Sequence, residues 1–172
     1  MSPPLLRIPV GVVVERRKAT SPWAEVLWRP VAVLAGLPDA AAWTPLAREG
    51  DTMTYYAGAA EIELYRAEAA NYRRSLAMEA PAVWVALEPT GGDPPFEITA
   101  VTADPAEGEG LTEAGQLIVE AVAMPEPVRA AVAAFVEQYP VEQAFMKRKR
   151  DRANPDALAR RSTPAGKPHE PR

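Results

Sequence analysis

The chain has 172 residues, a formal net charge of −4 at pH 7, no cysteine and one histidine. That length suits one domain able to bury a core without covalent staples. The missing cysteines exclude disulfides, thiolate metal sites, iron–sulfur ligation and cysteine nucleophiles, and the single His169 argues against an imidazole metal site or a Ser-His pair in a folded cleft.

The first residues, MSPPLLRIPVGVVVERRK, are apolar but interrupted by Arg7 and Pro9, with no small-residue cleavage site after them. They predict a first strand rather than a secretory leader, with Ile8, Val10, Val12 and Val14 in alternation and Pro9 at a strand start or edge. Residues 25–37 give a second apolar stretch with a strand around Val31 to Leu34, and residues 38–51, rich in Pro, Ala, Asp and Gly, predict a connection. Residues 53–66 predict two strands or one long bent strand, with Gly58 at the bend or a bulge. Residues 67–78 are ambiguous, since the alanines favour helix while Tyr72 and Leu76 form only a weak apolar face.

AVWVALE at 82–88 predicts a strand, PTGGDPP a turn, and FEITAVTA at 96–103 the returning strand of a hairpin. Asp104-Pro105 has the form of a helix N-cap followed by proline at the first helical position. Gly108 and Gly110 each weaken that helix by about 1 kcal/mol relative to Ala. LIVEAVAM at 117–124 returns to strand. Val128, Ala131, Val132, Phe135, Val136 and Tyr139 then make one stripe of an amphipathic helix, started by Pro127 and stopped by Pro140. The stripe needs a sheet face or a barrel end to lie on. From Lys147 onward the apolar content collapses, which predicts a disordered tail. No stretch approaches the roughly 18 consecutive apolar residues of a membrane span, so a cytoplasmic protein with no membrane contact is expected.

Candidate chemistry is sparse. TGGDPP lacks the lysine and hydroxyl residue of a phosphate loop and reads as a hairpin turn, and the glycines of GEGLTEAG miss dinucleotide-binding spacing. Glu61 and Glu63 alternate with Ile62 and Leu64, which turns them to solvent; Glu68 and Glu88 carry no mark of burial either. Tyr55, Tyr56, Tyr65, Tyr72, Trp23, Trp28, Trp43 and Trp84 are read as core and cross-strand packing ahead of a ligand groove. No catalytic, cofactor-binding or metal-ligating residue is predicted, and no cofactor.

Charge is the sharpest feature. Residues 147–172 carry a net +6 and residues 1–146 a net −10. The boundary is AFMKRKRDR. Phe145 and Met146 are candidate apolar anchors, beside the cations Lys147, Arg148, Lys149, Arg150 and Arg152. This segment predicts docking to an acidic protein partner, with a solvated tail that folds back loosely on its own acidic body as an equally weighted reading. The alternative is nucleic-acid binding by residues 147–152, which the acidic body opposes.

Several stretches, taken in order, carry a family resemblance: IPVGVVVERR with Trp23 and Trp28 after it, EIELYRAEAANYRRSL, PAVWVALEP, VTADPAEGEG, and MPEPVRAAVAAFVEQYPVEQAFMKRKRDR. Over about residues 7–152 the chain resembles a proteobacterial family of unknown function whose genes stand beside those of molybdenum-dependent formate dehydrogenase and its maturation chaperones. The chain departs from the family where Tyr139-Pro140 replaces a His-rich stretch. The resemblance supplies no catalytic residues. It implies a non-enzymatic accessory role, with a molybdoenzyme or its maturation factors as the protein partner.

The expected architecture is α+β or mainly β: an antiparallel, partly closed sheet or small barrel of six to eight strands with a C-terminal amphipathic helix. The expected division is a compact domain over residues 1–146 and a basic tail over 147–172.

Overall fold

The computed structural model describes residues 2–140. Seven antiparallel strands form two sheets, joined and covered by three helices. The strands are β1 (Leu6–Lys18), β2 (Val26–Ala35), β3 (Thr44–Glu49), β4 (Thr52–Leu64), β5 (Ala82–Pro89), β6 (Phe96–Thr102) and β7 (Ile118–Ala123). The helices are α1 (Ala69–Leu76), α2 (Pro105–Glu113) and α3 (Glu126–Gln138). Sheet one runs β2-β1-β4-β3 and sheet two β6-β5-β7.

This is the expected α+β, antiparallel class, with a strand count inside the expected range. The small barrel is corrected, because neither sheet closes. β2 lies against β7 and β4 against β6 without a continuous ladder joining them. The reason is local. β2, the edge strand of sheet one that meets β7, carries Pro30, which has no N–H to donate. After β4 the chain turns into the short 3₁₀ segment Arg66–Glu68 and α1 rather than into another ladder.

The core follows from strand periodicity. Val10, Val12 and Val14 of β1, Ile62 and Leu64 of β4, and Val83, Val85 and Leu87 of β5 belong to one buried cluster. The other face of β1 is covered too. A Cβ on Gly11 would stand 2.8 Å from the Tyr56 ring, so glycine is what lets that ring approach the strand so closely. β4 is one strand bent at a bulge, with Ala57 the extra residue between the Val12–Gly58 and Val13–Tyr56 pairs. Gly58 takes φ 133° there, in keeping with the bend expected at this glycine.

Two elements differ from the sequence reading. β3 occupies part of what reads as a connection, and the ambiguous stretch after β4 is α1, which buries Tyr72 and Ser75. The helix signals elsewhere hold. Asp104 caps α2 by accepting from Ala106 N–H at 2.9 Å, with Pro105 following. α3 buries Val128, Val132, Phe135 and Val136, packing on α1 and touching β1 and β2. Among the described residues no helix is long and apolar enough to cross a membrane.

Candidate functional site

The carboxylates come first, because acid–base chemistry would need them buried or paired. Glu61 and Glu63 share one side of β4, and Arg7 reaches both at 3.5 and 3.8 Å on the exposed surface. Glu88 is exposed. Glu68 is the exception. Half-buried before α1, it shares the Asn71 amide with Asp104, at 2.9 and 3.2 Å. Loss of solvent, then a hydrogen bond with Asp104 and that group's charge, hold the Glu68 carboxyl above its ordinary value. Asp104 is committed to the α2 cap, and Glu107 to the Thr102 hydroxyl. Asn71 thus ties the start of α1 to the cap of α2 through Glu68 and Asp104. Among the described residues no group of three or more His, Cys, Asp or Glu is placed to hold a metal ion.

The aromatics divide. Tyr72 is buried in the core and its hydroxyl accepts from Tyr65 N–H, while burial pushes its pKa up to about 12. Trp84 packs against α2 at Gly108. Trp28, Trp43, Tyr55 and Phe96 form a cluster with ring centres 5.7–6.2 Å apart. Trp23, on the β1–β2 connection, is 93% exposed.

The aromatic cluster leads to a groove among the described residues. Strand register places Trp28, Arg16, Met53 and Arg48 side by side across β2, β1, β4 and β3. The row lies on the core face of sheet one, one step beyond Val14 and Tyr55. Phe96 of β6 meets Trp28, so the cover from sheet two reaches that tryptophan. Past it the same face carries Arg16, Lys18 and Arg48, all exposed. They line a groove of about 350 Å³ with Val26, Met53 and Tyr55 as its apolar part.

Arg17, Thr52 and two carboxylates, Glu25 and Asp51, complete the groove. Four cations against two carboxylates leave a net positive site. Four of the ten Lys and Arg in residues 1–146 are gathered here, on a part of the chain with net charge −10. The Arg16 guanidinium carbon stands 5.8 Å from the Trp28 ring centre, within cation–π range. Among the described residues none of these four cations makes an ion pair, whereas Arg7, Arg29 and Arg129 do.

The sequence reading, which puts Arg48 in a connection, does not bring these residues together. The overlooked signal is Glu49-Gly50-Asp51-Thr52. Glu49 pairs with Thr52, leaving a two-residue hairpin loop in which Gly50 takes φ 61°. With that hairpin recognised, Arg48 falls on the strand two removed from Arg16. The predicted partner-binding residues Phe145, Met146, Lys147, Arg148, Lys149, Arg150 and Arg152 lie outside the described residues.

Fold and groove together give an α+β domain with a cationic cleft at one end of a sheet. A family model described as "Protein of unknown function (DUF3305)" matches residues 9–149, and the chain belongs to that family. No curated protein and no solved structure matches it.

Proposed function

We propose that this chain is a non-enzymatic accessory protein of the cytoplasm that binds a protein partner, in the assembly, maturation or regulation of a molybdenum-dependent formate dehydrogenase. The observation that carries the binding part is the cationic groove. Guanidiniums that make no ion pair among the described residues, beside apolar lining, suit recognition of carboxylates, and the rest of residues 1–146 is predominantly acidic. Formate dehydrogenase enters through the chain's resemblance to a family whose genes stand beside those of that enzyme and its chaperones, which is an associational argument. Residues 145–152 add a second basic patch with two apolar anchors.

The test is co-purification of apo-formate dehydrogenase with the full chain and with a chain cut after Gln143. Reduced recovery with the shortened chain is expected. Equal recovery removes the docking role of the segment beyond the cut, and no recovery with either chain removes formate dehydrogenase as the partner.

A further inference from the structure

Resting on the reading of this chain as a partner-binding protein, we infer that the groove between the β1–β2 connection and the β3–β4 turn receives a short acidic segment of the partner, with a bulky apolar residue among its carboxylates. The occupant's chemistry follows from the lining. Arg16, Arg17 and Arg48 present planar forks that match carboxylates two donors at a time, and Lys18 adds a point charge. Val26, Met53 and Tyr55 give an apolar floor, and the Met53 thioether adapts to side chains of different shape.

Glu25 and Asp51 decide between classes of anion. They would repel a polyphosphate or a nucleic-acid backbone drawn along the groove, and the surrounding acidic body adds to that repulsion. A peptide has backbone N–H groups to offer those two carboxylates and side-chain carboxylates to offer the cations. The chain's own segment 147–172 is net +6 and is therefore not the groove's complement. A cavity of about 350 Å³ holds one anchoring side chain and its neighbours, with Trp23 exposed on the adjoining connection to extend the contact.

The probe is a short fluorescein-labelled peptide of glutamates flanking a Leu-Phe pair, followed by anisotropy on the full chain. Arg16→Glu with Arg48→Glu is expected to weaken binding by about tenfold or more. Lys18→Glu with Arg48→Glu, which leaves the Arg16–Trp28 contact intact, is expected to do the same and keeps the test valid should the first pair unfold. Arg66→Glu with Arg129→Glu makes the same change of net charge outside the groove and is expected to leave affinity within about twofold. Equal losses in the groove and control variants would overturn the inference, as would displacement of the peptide by ATP or polyuridine RNA at concentrations below the peptide's own Kd. The groove and the formate dehydrogenase reading fail separately. Peptide binding through the groove without enzyme recovery leaves the groove standing, whereas undiminished enzyme recovery by groove variants removes the groove alone.

Discussion

Glu68 shows how one residue's surroundings set a pH dependence. Its carboxyl faces Asn71, Asp104 and Glu107, and its pKa is raised from the ordinary 4.5 chiefly by loss of solvent. A carboxyl with a raised folded-state pKa binds its proton more tightly when folded. The stability it contributes is fully present below 4.5 and is lost as pH rises through the raised folded value. At neutral pH the charged form is therefore a local cost. Glu68→Gln should make the protein equal to or more stable than wild type at neutral pH, because the amide can still accept from Asn71 and can now donate to Asp104. The advantage should disappear as pH falls below 4.5. Urea midpoints across that range measure it, and a less stable variant at neutral pH would refute the account. A residue-scale cost of another kind sits at Trp43, held at φ 67° where side chains other than glycine are disfavoured. Its ring packs against Trp28 and Tyr55, and that contact offsets the strain.

At the scale of elements, α2 separates two glycines that look alike in the sequence. Both lie inside the helix, and propensity alone assigns each the same penalty. A Cβ on Gly108 would fall 2.2 Å from Trp84 Cγ, whereas one on Gly110 would meet nothing within 4 Å. Gly110→Ala should raise stability by about 0.5–1 kcal/mol. Gly108→Ala should lower it by about 1–3 kcal/mol, because overpacking against the indole exceeds the propensity gain. Denaturant unfolding of the two variants measures both signs, and a stabilising Gly108→Ala would mean that Trp84 moves freely. The same contrast explains what was legible in the sequence. β1, β5, β6, β7 and α3 announce themselves through periodicity and turn chemistry, as does the Asp104 cap. β3 does not, since five of its six residues are exposed and its Pro45 is a poor strand former. α1 does not because it meets the core mainly through Tyr72, whose ring packs against Phe135 of α3. The choice between one barrel and two open sheets depended on those two elements. Of the groove's lining, Arg48 is the part that only recognition of β3 supplies.

Over the whole molecule, charge is segregated rather than balanced. Residues 1–146 are net −10, residues 147–172 net +6, and four cations of the acidic part converge on one groove. Such a molecule repels polyanions at long range and attracts a carboxylate-rich segment only where cations are concentrated. The range of that attraction is set by salt, with a Debye length of about 10 Å at 0.1 M and about 3 Å at 1 M. Raising salt across that interval should weaken binding of the acidic probe peptide by about tenfold or more, mostly through slower association, because steering fades before close contacts do. Reversing charge at Arg16 and Arg48 should flatten that dependence. Replacing Lys147, Arg148, Lys149 and Arg150 with Ala should flatten it less, since the proposal sets the peptide's carboxylates against the groove cations. Stopped-flow association rates at several salt concentrations would show the difference. If the groove variant kept the full salt slope and the 147–150 variant lost it, recognition would reside in the basic segment, and binding of polyuridine with the same slope would favour the nucleic-acid alternative over a protein partner.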